Sequence, residues 1–254
     1  MAIINIWLFP IFIAIYSILT LLICVILSIN SHHFPANWPF LSDFTKFQPA
    51  KNAYTIMSNH ILLFLLIWMY LKHRELKSYF RQANQSIYYE KISWANLLIG
   101  ICAISCYQLA VNFPATKVAY FELFGNRISL CLGLIYIWIH SFLSLNVRDE
   151  NLNNLPIFLM RICLGSVVLS FLAAMIQANK LAKPNQTLCA IYEWCCYFSF
   201  AMFLLTDSYE FRFMVFRPPK LIIRGCSGYN PRVFESTDVS EEDEIPNMSQ
   251  RFVM

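Results

Sequence analysis

Residues 7–29 read WLFPIFIAIYSILTLLICVILSI, twenty-three positions without a single charged side chain. Wound as a helix at about 1.5 Å per residue, such a stretch covers a hydrocarbon core of roughly 30 Å. Lipid offers no partner to a backbone N–H or C=O, so a helix, which pairs them within the segment, is the form this stretch must take there. A secretory leader fits it poorly. A basic n-region is missing, the run is longer than an apolar region of about 7 to 15 residues, and no small-residue cleavage site follows.

Five further apolar stretches follow, at 53–71, 95–113, 118–142, 157–177 and 188–206, separated by short polar connections. Composition agrees: 58% of the chain is hydrophobic and 13% charged, where a soluble domain carries about 25% charge. The expected fold is all-α, a polytopic integral membrane protein whose six transmembrane helices occupy 1–212. A tail, 213–254, follows. It turns acidic and hydroxyl-rich over 235–244, from Glu235 to Glu244, a composition that cannot bury enough apolar area to fold alone. No internal repeat is visible, and six glycines argue against a bundle built on many close GxxxG crossings.

Orientation is read from Lys and Arg, which short cytoplasmic connections retain. Lys72, Arg74, Lys77, Arg81 and Lys91 follow the second stretch, Arg148 the fourth, and Arg212, Arg217, Lys220, Arg224, Arg232 and Arg251 lie in the tail. These twelve stand against Lys46, Lys51, Lys117, Lys180 and Lys183 on the opposite side. Both termini are therefore expected in the cytosol. The net charge of +4 adds nothing beyond this asymmetry and gives no ground for nucleic-acid binding.

Eight of the nine cysteines lie in or beside apolar stretches and Cys226 lies in the tail, while the large loop after the first stretch has none. A disulfide-stapled outer loop is thus not expected. CxxC, HExxH and GxSxG are absent, and His32, His33, Asp43 and His60 lack the spacing that would fix a metal-ligand geometry. No metal, cofactor or catalytic residue is expected.

Charge and amide groups inside the stretches are expensive in lipid and mark sites or helix contacts. In the expected topology His60, Asn112, Glu122, Asn126, Arg127 and Glu193 share the exoplasmic half. They are expected to form one polar cluster, serving as a ligand site or as structural glue. Glu122 and Asn126 share a helix face; Arg127 points away from it, which makes Glu193 its first candidate partner. Near the last stretch Arg212, Arg217, Lys220 and Arg224 form a basic run suited to anionic phospholipids, and Cys226 beside it is a palmitoylation candidate. Membrane lipids and unidentified proteins are the partners so implied.

Three motif elements occur in order. Trp38-Pro39-Phe40-Leu41-Ser42-Asp43, with Gln48-Pro49 after it, matches an aromatic-Ile-Ser-Asp stretch followed by Pro-Glu. Val111-Asn112-Phe113 matches a Gly-Asn-Phe-Gln element, and Glu193-Trp194, Thr206 and Phe211-Arg212 match a last-span pattern of Glu-aromatic, Thr, then Phe-Arg. With six spans and cytosolic termini, the chain resembles the damage-regulated autophagy modulator family, grouped with the Frag, Sfk and CWH-type proteins. Departures occur at Ala50, Val111, Pro114 and Ala119-Tyr120. The resemblance implies a non-enzymatic multipass regulator of autophagy or membrane-lipid organisation in a lysosomal, endosomal or plasma membrane. It implies as the alternative a participant in GPI-anchor lipid remodelling in the Golgi or endoplasmic reticulum.

Overall fold

A computed structural model describes residues 6–31, 41, 47–82, 86–113, 115–146, 154–180 and 186–213, leaving aside the side chains at 82, 115–123, 154, 175, 178–180, 186 and 213. The described residues lie in one compact unit, Ala2–Phe216. Among them the structure is entirely helical: α1 (Leu8–Asn30), α2 (Ala50–Gln82), α3 (Ile87–Asn112), α4 (Ala115–Leu145), α5 (Asn154–Lys180) and α6 (Gln186–Glu210), closed by a 3-10 turn, Phe211–Phe213. Each helix contains a segment long and apolar enough to cross a bilayer. This is an integral membrane protein.

Local chemistry sets the helix ends. Pro10 sits in the first turn of α1, where its missing N–H has no partner to lose. Ser86 caps α3 by accepting the Tyr88 amide at 3.3 Å. Pro114 stands between α3 and α4. Hydroxyls within the spans bond to the preceding turn: Ser17 to the Ile13 carbonyl, Thr20 to Tyr16 and Ser141 to Ile137, at 2.6–2.8 Å. These bonds keep small polar side chains satisfied without water.

Helices adjacent in sequence pack on one another, and α1 closes the ring against α6. At its centre Trp68 of α2, Tyr136 of α4 and Phe203 of α6 meet, with Trp68 5.8 Å from Tyr136 and 6.1 Å from Phe203 between ring centroids. Trp68 is 1% exposed. The outer faces are apolar as well: Ile15, Leu22 and Ile26 on α1 are all more than half exposed, a surface that calls for lipid contact.

The helices overrun the expected boundaries at one end. The second apolar stretch was expected to stop at 71 and the third to begin at 95, but α2 runs to Gln82 and α3 starts at Ile87. Lys72, Arg74, Lys77 and Arg81 therefore sit on a helix rather than in a loop. Leu76 and Phe80 continue the buried face and pack with Leu143, while Lys77 and Arg81 reach Glu90 at 2.6 and 3.1 Å.

Candidate functional site

The densest polar chemistry lies where α6 ends. Asp207 and Glu210 are three apart on α6 and share a face, as do Lys72 and Glu75 on α2. Lys72 Nζ donates to Glu75 Oε2 at 2.7 Å and to Glu210 Oε2 at 2.5 Å, and lies 4.0 Å from Asp207. Arg161, on α5, spreads its guanidinium over three acceptors of α6. Nε reaches Thr206 Oγ1 at 2.7 Å, one terminal nitrogen reaches Glu210 Oε1 at 2.8 Å, and the other bonds Asp207 Oδ1. From α4, Ser144 donates to Glu210 at 2.5 Å and His140 Nε2 lies 3.4 Å from Asp207 Oδ1. Arg161 and Asp207 are fully buried and Lys72 is 1% exposed.

Such charges hold only because each is paired: isolated, a buried ion is too costly to keep. Aromatic faces complete the enclosure, with Lys72 4.7 Å above the Phe211 ring and Arg161 5.6 Å from Phe203. The remaining loose ends are both ring nitrogens of His140 and Asp207 Oδ2, which have no hydrogen-bond partner among the described residues. His140, Asp207 and Glu210 bring ligand-type atoms within 4.8 Å of one another. Asp207 Oδ1 and both Glu210 oxygens already receive Arg161, Lys72 and Ser144, and two resident cations repel a third. The arrangement ties four helices together rather than holding a metal.

At the opposite end Glu193 of α6 accepts from Asn126 Nδ2 of α4 at 3.1 Å and from the Leu41 amide at 3.0 Å. Nearby, the Tyr54 and Tyr107 hydroxyls lie 2.9 Å apart and Tyr197 donates to the Ser17 carbonyl at 3.3 Å. From this polar end a cavity of about 210 Å³ runs down the bundle between Glu193 and the Trp68–Tyr136–Phe203 cluster.

The six residues expected in one cluster divide. Asn126 and Glu193 meet. His60 is exposed and lies 3.2 Å from the Tyr16 hydroxyl. Asn112 exchanges amide bonds of 3.3 Å with Asn59 and caps back to the Gln108 carbonyl. Arg127 is exposed and is not among the described partners of Glu193, which include the Asn126 amide and the Leu41 backbone N–H; the expected pairing of Arg127 with Glu193 is corrected on this point. Its neighbour Asn126 occupies the α4 position that faces α6, and one residue of helix turns a side chain by about 100°. The Glu122 side chain lies outside the described residues. Of the basic run, Arg212 is exposed and stands 5.3 Å from the Trp7 ring, joining the two ends of the ring; Arg217, Lys220, Arg224 and Cys226 lie outside the described residues.

The ion network went unread in the sequence for two reasons. Arg161 and His140 sit singly in apolar runs, and Lys72, Glu75, Asp207 and Glu210 fall at expected span edges, where charges look like ordinary flanks. The available signal was the arginine in LMRICLGSVVLSFL (159–172), since an intramembrane arginine demands a carboxylate.

The motif elements take part in the polar contacts at both ends of the bundle. Leu41 of the first loop donates to Glu193 of the last span, Thr206 accepts Arg161, and Phe211 lies under Lys72. Comparison with known proteins agrees. Proteins described as DNA damage-regulated autophagy modulator protein 2 are 21% identical: that of Mus musculus over 155 residues, 61% of this chain and 57% of its own length, and that of Homo sapiens over 139 residues, 55% and 51%. The chain thus spans little more than half the length of the curated relatives it matches. No solved structure matches it. The family described as Frag1/DRAM/Sfk1/Cwh43P N-terminal domain matches residues 5–214, and it is to this family that the chain belongs.

Proposed function

We propose that the chain is a multipass regulator without catalytic activity, acting on autophagy or on lipid organisation in an endolysosomal or plasma membrane. One observation carries the reading. The strongest polar groups of the bundle, Lys72, Arg161, Asp207 and Glu210, are spent on one another across α2, α5 and α6, an investment in a fixed shape rather than in an exposed reactive group. The name borne by the relatives supports autophagy as the process. The basic run from Arg212 to Arg224 suits an anionic cytosolic leaflet, where each cation near the surface contributes about 1 kcal/mol, and Cys226 beside it suits an acyl anchor.

Removing the chain from cells, localising a tagged copy and measuring both autophagic flux and surface GPI-anchored proteins tests the proposal. Altered flux with unchanged GPI-protein levels is expected. The reverse pattern, with the tagged copy in the Golgi or endoplasmic reticulum, replaces it with GPI-anchor lipid remodelling.

A further inference from the structure

The wall of the bundle built by α2 and α3 carries hydrogen-bonding groups on its outer side. His60 of α2 and Gln108 and Asn112 of α3 are exposed. The Asn59 and Asn112 amides exchange bonds across the two helices, at 3.3 Å each way, and His60 Nδ1 lies 3.2 Å from the Tyr16 hydroxyl. The Gln108 side-chain amide, one turn from Asn112 on the same face of α3, and His60 Nε2 have no hydrogen-bond partner among the described residues. Both groups lie inside the spans. His60 stands seven positions into the apolar stretch 53–71 and Gln108 five positions from the end of 95–113, which puts them about 10 and 8 Å from the rim. The polar groups of lipids sit in the interfacial layers outside the hydrocarbon core. At this depth the neighbours are acyl chains, which offer no hydrogen bond.

We infer that the outer faces of α2 and α3 form a two-fold interface with a second copy of this chain, the Gln108 amide and His60 ring of each copy supplying its hydrogen-bonding centre. The identity of the partner follows from the chemistry of the patch. Residues 53–71 and 94–112 contain no Lys, Arg, Asp or Glu, so the complement of this face is neutral as well. An amide carries donors and an acceptor, and a neutral imidazole carries one of each. Such a surface is complementary to its own image, which is what a two-fold contact requires. Amide, hydroxyl and imidazole side chains bond across helices in membranes, where small residues let the backbones approach; Ser105, also exposed, lies one turn from Gln108 on α3. Around the polar centre Ile56 and Leu63 of α2 are more than half exposed and Leu109 of α3 is 44% exposed, an apolar surround that packs as the polar groups pair. Nothing in this inference depends on the chain's acting on autophagy, and purified protein tests it alone.

The full chain is labelled at its C-terminus with a donor or an acceptor dye, and the two pools are mixed in phosphatidylcholine vesicles at falling protein density. Energy transfer that follows a monomer–dimer equilibrium is expected. Gln108→Leu lowers the association constant roughly tenfold, because one substitution acts twice across the two-fold axis and each hydrogen bond between spans is modest. Leu169→Ala, on the exposed face of α5, leaves the constant unchanged. Both side chains point outward, so neither change opens the core. A photo-cross-linking residue in place of Leu63 joins two copies, and one in place of Leu169 does not. Chains that stay monomeric at every density, which would leave the patch to a different protein, overturn the inference on the wild type alone. Dimers that cross-link through position 169 and not 63, or that hold equally well with Gln108→Leu, overturn it too.

Discussion

Arg161 divides its guanidinium among Thr206, Asp207 and Glu210, and no other side chain has that geometry. A lysine offers one compact charge where this site uses a planar fork. Replacing Arg161 with Met takes from Asp207 its hydrogen-bonded cation and leaves Glu210 to Lys72 and Ser144, and breaking a buried pair costs about 3–5 kcal/mol. Thermal unfolding of the purified protein in detergent measures it, and Arg161→Lys is expected to recover only part of the loss. Adding Asp207→Leu to Arg161→Met removes one stranded charge, so the double variant is expected to lose less than the sum of the two single ones. At the other end Arg127 gives the contrasting outcome: exposed and unpaired with Glu193, its change to Ala stays within about 0.5 kcal/mol. Asn126→Ala, which takes a donor from a buried carboxylate, costs about 1–3 kcal/mol. Melting curves ranking Arg127→Ala above Asn126→Ala in damage would refute the observed division of the cluster.

At the scale of helices, the close crossings depend on a few small residues. A Cβ on Gly125 of α4 would stand 2.7 Å from the Cys106 carbonyl oxygen of α3, whereas on Gly100 its nearest neighbour is the Met69 sulfur at 2.6 Å. Backbone cannot step aside and a methionine can. Gly125→Ala is therefore expected to destabilise the α3–α4 pair more than Gly100→Ala destabilises the α2–α3 pair, read as the difference in melting temperature. The six helices are legible in the sequence because each carries a long, predominantly apolar run. The ends of α2 and α3 were not, because average hydropathy falls once charges enter while the buried stripe through Leu76 and Phe80 goes on. The site was legible in part. Asn126 and Glu193 were picked out as intramembrane polar groups, but which amide of α4 meets which acid of α6 is decided by a rotation of one residue, and nothing local encodes it.

Within the unit Ala2–Phe216 the helices form a ring whose first and last members touch, with Arg212 lying over Trp7. Six crossings would put both ends of the helical unit on one side, and the twelve-to-five distribution of basic residues predicts that this side is the cytosol. In sealed vesicles with the cytosolic face outward, added protease is expected to remove an epitope at Met254; a protected epitope reverses the assignment. Deleting 235–254 is expected to leave insertion and detergent stability unchanged, since that acidic composition cannot add a packed surface; degradation of the shortened chain at the membrane would show that the bundle needs it. The ion network also bears on how the protein is made. Synthesis delivers α5, with Arg161, before α6 and its acids have left the ribosome. A lone arginine within a span costs up to about 2.5–3.5 kcal/mol on insertion scales, the figure for a helix centre, so α5 gains from waiting beside the insertion machinery until α6 arrives. A message cut short between the two yields a chain with a bare charge in the bilayer, a mark by which quality control can recognise and extract it.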